Sequence, residues 1–369
     1  MLYLKNPRRA DPRSILSSVS SVVCVGLIYN APLPYSVERS GSDSGGSGLG
    51  ALGGTATPGR ASERDTANSG PATQSRAWIS RYAWGRDYHK VMRTRLERLR
   101  NAIEQLAPAV ETRVYVDTGP VVERAFARLS GIGWTGKNTC LINQQKGSWF
   151  FIGVILTNLE IEPDTPAFDR CGSCRRCLDA CPTGALIEPY VMDASRCIAY
   201  FNIELKGSIP SEYRTAMGAN VFGCDICQDV CPWNWGSGSV RDSANRSMGR
   251  PATTSLAEFQ PITIGPAAAN ASDAHIPIPD HRKSNPAPRH FSPFNPRLED
   301  LASLTEADFR RIFRDSPLKR PKHRGWLRNL CVVMGNSGDR RFLPWLEEMR
   351  LHESPVVREH AEWAIQKLG

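Results

Sequence analysis

The sequence predicts an α+β protein that consists of an α/β core, a cysteine-rich module and a C-terminal helical part. Strand-like and helix-like apolar patterns alternate over residues 1–165, eight of the 11 cysteines lie between Cys171 and Cys231, and helical patterns dominate after residue 297. A length of 369 residues is typical of two or three domains. No apolar run approaches the roughly 20 residues of a membrane-spanning helix, which excludes an integral membrane protein of that kind.

Strands and helices alternate in the core, which we place at residues 1–165. Short apolar runs predict strands, and apolar residues three and four positions apart predict helices. In chain order we expect a strand over 20–29, a helix over 88–106, a strand over 113–116, a helix over 121–129 and a strand over 149–157. This alternation favours an α/β core. Residues 39–75 are rich in Gly, Ser, Thr and Ala and predict a flexible insertion.

The cysteine-rich module, at residues 166–235, has the pattern of a ferredoxin-like domain with two 4Fe–4S clusters. Residues 171–182 read C-x2-C-x2-C-x3-C-P, a run whose fourth cysteine ligates the other cluster. Residues 224–232 supply C-x2-C-x3-C-P, and Cys197 supplies the missing eighth ligand. Structural zinc also uses C-x2-C pairs, but it leaves the third cysteine of each triple and both Cys-Pro pairs unexplained. The predicted ligand sets are Cys171, Cys174, Cys177 and Cys231 for the first cluster, and Cys181, Cys197, Cys224 and Cys227 for the second.

One glycine-rich loop imitates two nucleotide-binding motifs. Gly131, Gly133 and Gly136 fit G-x-G-x-x-G, and residues 131–137 fit G-x4-G-K. The loop follows a predicted helix rather than a strand, and Asn138 stands where a P-loop needs Ser or Thr for magnesium. We therefore interpret these glycines as parts of a tight turn.

The C-terminal part, residues 297–369, is predicted to be helical and to follow a flexible linker over 236–296 that is rich in Pro, Ser and Ala. Helices over 341–350 and 355–368 resemble one HEAT repeat, with Pro355 opening the second helix. Ala361, Ala364 and Leu368 are expected to face the partner helix. Because a single repeat cannot bury its apolar face alone, we expect it to dock on the rest of this chain.

Six separate motifs, in the same order along the chain, resemble the epoxyqueuosine reductase family. They are RYAWGRDYHKVMRTRLERL (81–99), VDTGPVVERAFARLSGIGWTGKNTCLI (116–142), CGSCRRCLDACPTGAL (171–186), RCIAYFNIE (196–204), FGCDICQDVCPWN (222–234) and SPLKRPKHRGWLRN (316–329). The resemblance implies a cytoplasmic, monomeric enzyme that reduces epoxyqueuosine to queuosine at the wobble position of tRNA. It also implies a base-off cobalamin in the core, which receives electrons through the clusters from an external donor such as a flavodoxin or ferredoxin.

The resemblance also implies particular site residues. Asp117 matches the family's proton donor, and an apolar corrin nearby would raise the pKa of its carboxyl group, as a donor requires. The local alternative for Asp117 is a turn-capping residue in D-T-G-P. His89 stands at the start of a predicted helix, and we interpret it as a packing or capping residue rather than a cobalt ligand. The residues assigned to cobalamin are Arg9, Ser80, Asp117, Lys137, Asn138 and Asp225.

A basic run supports a nucleic-acid partner independently. The chain carries a net charge of +9, and Asp315 is the one acidic residue among eight basic residues over 310–328. Two prolines predict a loop here rather than a solvated helix face, and closely spaced cations suit a phosphate backbone. Trp326 is expected to pack beneath the cations or to stack on a base. The residues assigned to tRNA are Lys206, Lys319, Arg320, Lys322 and Arg324.

Two alternatives and one departure from the family pattern stay open at this point. Relatives carry a βα unit before the strand at residue 20, so this N-terminus looks truncated by comparison. A reductive dehalogenase-like cobalamin enzyme would also carry two clusters, but it predicts an export signal and no basic C-terminal part. A non-catalytic ferredoxin-type electron-transfer subunit needs only the cysteines and gives Asp117 and the basic run no function.

Overall fold

The computed structural model describes residues 6–39, 75–235, 252–263 and 292–369. Its strands are β1 Ser21–Ile28, β2 Trp78–Ile79, β3 Thr112–Tyr115, β4 Trp134–Thr135, β5 Leu141–Ile142, β6 Phe150–Thr157, β7 Leu186–Glu188, β8 Val191–Met192 and β9 Asn220–Phe222. Its helices are α1 Ser36–Arg39, α2 Tyr88–Leu106, α3 Glu123–Leu129, α4 Arg176–Asp179, α5 Ser211–Arg214, α6 Ile226–Asp229, α7 Leu298–Ala302, α8 Glu306–Ile312, α9 Lys322–Ser337, α10 Leu343–Met349 and α11 Pro355–Leu368. The predicted insertion over 39–75 lies outside these ranges except for its two end residues. Within them, no helix combines the length and apolar character needed to cross a bilayer.

The core sheet has the strand order β1-β6-β3, and both outer strands run antiparallel to β6. The mixed helix and sheet class is confirmed, but the α/β expectation is wrong for this sheet, because no two neighbouring strands are parallel. Alternation of elements along a chain does not decide which strands become neighbours. Here β1 and β3 run in the same direction, but β6 lies between them.

Helix α2 packs across β6 and places its first turn at one end of the sheet. Val91, Met92 and Leu96 are buried toward the sheet, at the helical spacing seen in the sequence. Gly153 of β6 permits this close approach, because a Cβ there would lie 2.6 Å from Leu96 Cδ1. The Asp87 side chain caps the helix by accepting a hydrogen bond from the backbone N–H at position 89.

The largest apolar core joins the C-terminal helices to β2 and β9. The expected docking of the last helices on the rest of the chain is therefore present. Ala361, Ala364 and Leu368 of α11 are buried, but Ala364 packs against α9, where a Cβ on Gly335 would lie 2.9 Å from its Cα. This core contains residues from all three predicted domains, so it does not mark where one domain ends and the next begins. The domain boundaries remain predictions.

Two predictions of irregular structure need correction. Residues 252–263, assigned to the flexible linker, pack on the core: Phe259 is 3% exposed, and the Glu258 carbonyl accepts a hydrogen bond from the Arg86 N–H at 2.7 Å. The basic segment from residue 322 onward is the first turns of α9 rather than a loop. Pro321 directly precedes the helix, where a missing N–H costs no hydrogen bond, so it starts the helix instead of preventing it.

Candidate active site and cluster loops

The eight cysteines of the module are all free thiols. Each C-x2-C run leads into a single turn of helix, α4 or α6, and these two short helices pack against each other. Sequence spacing predicts a first group of Cys171, Cys174, Cys177 and Cys231 and a second group of Cys181, Cys197, Cys224 and Cys227. Thiols within each group interact electrostatically, but Cys140, which is in neither group, also interacts with Cys197, Cys227 and Cys231. The division of the eight cysteines into two ligand sets therefore stays a prediction.

The segment between β4 and β5 lies between the two cysteine loops. Lys137 is 9% exposed, and its Nζ donates to the carbonyl oxygens of Gly172 at 2.5 Å and Cys174 at 3.0 Å. Asn138 is 3% exposed, and its Nδ2 donates to the Cys227 carbonyl oxygen at 3.0 Å. Both side chains were assigned to cobalamin. In the structure each side chain instead forms hydrogen bonds with the backbone of one cysteine loop, Lys137 with the first and Asn138 with the second.

Ser80 and Asp225 are also buried and form hydrogen bonds within the protein. They are 3% and 1% exposed, and the Ser80 hydroxyl donates to the Asp225 carboxylate. The same carboxylate accepts the Arg81 backbone N–H at 2.7 Å and Trp78 Nε1 at 3.1 Å. This buried network fixes β2 to the loop that carries the second cysteine group. It leaves neither side chain open to a ligand.

Arg9 lies beside the turn that contains Asp117. Its Nη1 donates to the Gly119 carbonyl oxygen at 2.9 Å, and its Nη2 lies 3.9 Å from Glu123 Oε2. Burial, with a smaller contribution from the Asp117 charge, raises the pKa of Glu123 to about 7. Arg9 therefore orders this turn, and Glu123 adds a second acidic group that sequence analysis did not identify.

Three hydrogen-bonding or charged groups surround one oxygen of Asp117. This residue follows β3 with φ +55°, a left-handed conformation that Asp tolerates better than most residues. The Tyr88 hydroxyl donates to Asp117 Oδ2 at 2.8 Å, and His89 Nε2 lies 3.2 Å from the same oxygen. Arg320 Nη1 lies 4.0 Å away from it. The Asp117 side chain is still 50% exposed, so it can reach a substrate.

His89 lies between two carboxylates. Its Nδ1 is 2.8 Å from Asp87 Oδ1, on the side of the ring opposite to Asp117. Asp87 in turn accepts a hydrogen bond from Lys319 Nζ at 2.9 Å. The capping residue of α2 thus connects the basic run to the imidazole.

The two carboxylates hold a proton on the imidazole. Burial alone would lower the pKa of His89, but hydrogen bonds to Asp117 and Asp87 raise it to about 9. The His89 hydrogen bond lowers the pKa of Asp117; burial opposes this effect, and Tyr88 reinforces it. In this arrangement the pKa of Asp117 is lowered, because hydrogen bonds from His89 and Tyr88 and the charge of Arg320 favour its ionised form; the rise expected beside a corrin stays a prediction. At neutral pH the proton of the pair resides on His89.

Local sequence did not reveal the arrangement of side chains at the start of α2. His89 was interpreted as packing or capping, yet its ring lies within hydrogen-bonding distance of Asp117. A signal was present in Asp87-Tyr88-His89, which places three hydrogen-bonding side chains in one helical turn. Their spatial partner, 28 residues further along the chain, could not be read from local sequence.

The basic run divides into buried, paired and exposed members. Arg328 and Trp326 are 1% and 0% exposed, which rules out phosphate contact by the first and base stacking by the second. Arg320 Nη2 pairs with Glu204 Oε1 at 2.6 Å and so lies between the cluster module and Asp117. Lys206 Nζ donates to the Arg320 carbonyl oxygen at 3.4 Å. The members with exposed side chains at the start of α9 are Lys322 and Arg324.

Family models match both the cysteine module and the core. Residues 170–234 match the model described as "4Fe-4S double cluster binding domain". This match decides between the two metals considered from sequence, in favour of iron–sulfur over zinc. Together with an acid–imidazole site beside exposed cations, it defines an iron–sulfur oxidoreductase. Residues 59–118 match the model described as "Epoxyqueuosine reductase QueG, DUF1730".

Curated relatives and solved structures agree with that match. The chain is 40% identical over 295 residues to the epoxyqueuosine reductase of Xanthomonas campestris pv. campestris, covering 80% of this chain and 71% of the relative. It is 37% identical to the enzyme of Synechocystis sp., covering 87% and 86%. A crystal structure of an epoxyqueuosine reductase with an epoxyqueuosine-modified tRNA-Tyr stem loop superposes with a TM-score of 0.71 at 28% identity, covering 98% of this chain and 77% of that one. The chain belongs to the epoxyqueuosine reductase family and is an oxidoreductase of queuosine biosynthesis.

Proposed function

We propose that this protein reduces the epoxide of epoxyqueuosine, at the wobble position of tRNA, to the alkene of queuosine. The reaction consumes two electrons and two protons and releases the epoxide oxygen as water. The observation that carries the proposal is the position of Asp117, half-exposed beside His89 and within reach of Arg320. Arg320 in turn contacts Glu204 of the cluster module. Proton supply, an electron-transfer module and cations for a nucleic acid are thus joined at one site.

Asp117 and His89 deliver a proton to the departing oxygen. As negative charge develops on that oxygen, Asp117 accepts the proton held by His89 and passes it on. Asp87 orients the imidazole through Nδ1, as second carboxylates commonly do for catalytic histidines. Asp117 therefore acts as the donor without a raised pKa of its own.

The electrons are proposed to pass through two 4Fe–4S clusters, one in each cysteine group. The residues fit these clusters because the module supplies eight free thiols, and soft thiolates are the ligands that such iron takes. The electron donor is proposed to be a flavodoxin or a ferredoxin. The protein is proposed to act as a cytoplasmic monomer.

Cobalamin is proposed as the group that accepts these electrons and supplies low-potential reduction of the epoxide. Four of the six side chains assigned to cobalamin do not fit a cofactor contact. The polar atoms of Ser80, Lys137, Asn138 and Asp225 already form hydrogen bonds within the protein. Of the assigned set, Asp117 keeps half of its side chain exposed. Cobalamin contacts would therefore come from backbone groups or from other side chains.

Substrate tRNA is proposed to bind across the start of α9. Lys322 and Arg324 supply exposed cations there, next to the Asp117 site. Lys319 and Arg320 contribute differently, because they already pair with Asp87 and Glu204. In the proposal, Lys319 and Arg320 lie between the bound tRNA and the His89–Asp117 pair, and phosphate binding is not their sole function.

The test is anaerobic reconstitution with iron, sulfide and cobalamin, followed by incubation with epoxyqueuosine tRNA and a strong reductant. Mass spectrometry of the released nucleosides should show the loss of one oxygen mass from epoxyqueuosine. A Cys224→Ala sample, prepared alongside, should leave the nucleoside unchanged. Untouched epoxyqueuosine in a wild-type sample that holds full clusters and cobalamin would overturn the proposal.

A further inference from the structure

We propose that Lys137 is a positioning residue that raises the reduction potential of the first cluster, the one held by Cys171, Cys174, Cys177 and Cys231. This inference rests on the two-cluster part of the proposed function. It replaces the assignment of Lys137 to cobalamin, which the structure does not support. It depends on the placement of one buried cation against one of two otherwise similar cysteine loops.

The Lys137 ammonium group is held at the first cysteine loop by its surroundings. Its Nζ donates to the carbonyl oxygens of Gly172 and Cys174, and the side chain is 9% exposed. The backbone N–H of the same residue interacts with the Cys171 thiol. Two carbonyl acceptors order the ammonium but do not neutralise it, so its charge acts on the space that these cysteines enclose.

One anion also lies at this loop. The exposed Asp169 side chain bonds to the Tyr190 hydroxyl and accepts a hydrogen bond from the Cys171 backbone N–H at 2.7 Å, and its negative charge acts on the Cys171 thiol. Water screens an exposed carboxylate more strongly than a buried ammonium, so removal of the Lys137 charge leaves the loop more negative.

A buried cation at this place favours the reduced cluster. Reduction of [4Fe–4S]2+ to [4Fe–4S]1+ adds one electron, supplied by a low-potential electron-transfer protein, and neither makes nor breaks a covalent bond. The added negative charge is stabilised by a cation in a poorly hydrated environment. Net charge and hydrogen bonding near the sulfurs are established determinants of cluster potential.

The second cluster has no matching cation in this segment. The equivalent contact is made by Asn138, whose neutral amide donates to the Cys227 carbonyl oxygen at 3.0 Å. Adjacent residues of one strand connection therefore support the two loops, one with a charge and one without. The potential of the first cluster should depend on Lys137, and that of the second should not.

The experiment is a redox titration of the reconstituted protein, monitored by electron paramagnetic resonance without tRNA or turnover. The variants are Lys137→Gln and Lys137→Met, which remove the charge, and Lys137→Arg, which keeps it. Lys146→Gln is the matched control, because Lys146 is an exposed lysine of the neighbouring turn. Loss of one signal in Cys171→Ala identifies the first cluster.

We expect the neutral variants to lower the equilibrium constant for reduction of the first cluster about tenfold, which is about 59 mV for one electron. The second cluster, Lys137→Arg and Lys146→Gln should stay near the wild-type values. An unchanged first-cluster midpoint in a neutral variant that assembles both clusters would overturn the inference. Failure of both neutral variants to assemble the cluster would also overturn it, because Lys137 would then be a structural brace. Absence of both signals from the wild type would instead refute the proposed clusters themselves.

Discussion

The proton that His89 and Asp117 share is the feature on which the proposed chemistry depends at the scale of single residues. Asp117 could be named from sequence because its motif matches a family pattern. Its partner could not, because His89 meets Asp117 only when β3 and α2 bring the two side chains within 3.2 Å. The cysteines were easier to assign, since their spacing in sequence is itself the coordination pattern.

The pH dependence of turnover tests this pair. Because the pKa of His89 is raised to about 9, the imidazole carries its proton below that pH and loses it above. The rate should therefore be level through neutral pH and fall as the pH rises through about 9. In His89→Gln we expect the rate to drop about 100-fold or more and this alkaline limb to disappear. Arg93→Gln, an exposed change on the same helix, should keep the wild-type profile; a profile unchanged in His89→Gln would exclude His89 from proton transfer.

Buried polar residues show what a motif leaves undecided at this scale. Ser80, Lys137 and Asn138 lie in family motifs, and sequence alone could not separate ligand contact from internal support. The structure separates them because each polar atom already has a protein partner. A motif fixes which residues occur together, but burial decides which of them remain available to a ligand.

Helix α9 separates the functions of the basic run at the scale of elements. Sequence predicted a loop, because two prolines interrupt the run. In the structure, Pro317 and Pro321 precede the helix; of the cations after them, Lys322 and Arg324 are exposed and Arg328 is buried. Arg328, which donates to the carbonyl oxygens of Leu205 and Gly207 at 2.7 Å each, anchors the helix to the cluster module.

Substrate binding tests the exposed face of α9. Replacing Lys322 and Arg324 by Ala should weaken tRNA binding and reduce the slope of log K against log salt by about one unit for each lost phosphate contact. The matched control is Arg310→Ala, an exposed arginine already paired with Glu306 at 2.6 Å. Binding isotherms at several salt concentrations would measure both. An unchanged slope in the double variant would place the tRNA elsewhere.

The contact between α9 and α11 sets the stability of the C-terminal part. Because Gly335 and Ala364 meet without space for further atoms, Ala364→Leu should lower the free energy of unfolding by ~1–3 kcal/mol. Gln366→Leu, on the exposed side of the same helix, should change it by less than about 0.5 kcal/mol. Denaturant titration compares the two. Equal midpoints would contradict the tight packing described for this pair.

The cluster module is held between the core and the C-terminal helices at the scale of the whole molecule. Two of its helices, α4 and α6, have four residues each and contribute little apolar core. Composition and cysteine spacing predicted the module and its neighbours. They could not predict that β2 and β9 pair and that one apolar core joins all three parts, because those contacts link residues distant in sequence.

Removal of the clusters should therefore loosen the module without unfolding the protein. Ligands that bind only the native state stabilise it, and here they would cross-link the two cysteine loops. After iron chelation, hydrogen exchange should accelerate in residues 171–181 and 224–231. The α2 segment, packed on the core sheet, serves as the internal control and should keep its protection. Equal exchange in the loaded and chelated protein would show that the loops need no metal.

The central claim is that the cysteines hold the clusters that carry electrons, whereas Asp117 donates the proton. One comparison tests this claim most directly. Wild type and Asp117→Asn are reconstituted together, and iron content, cluster signals and queuosine formed in a single turnover are measured on the same samples. We predict equal iron and equal cluster signals, with queuosine formed by the wild type alone. Queuosine formed at the wild-type rate by Asp117→Asn would contradict the claim.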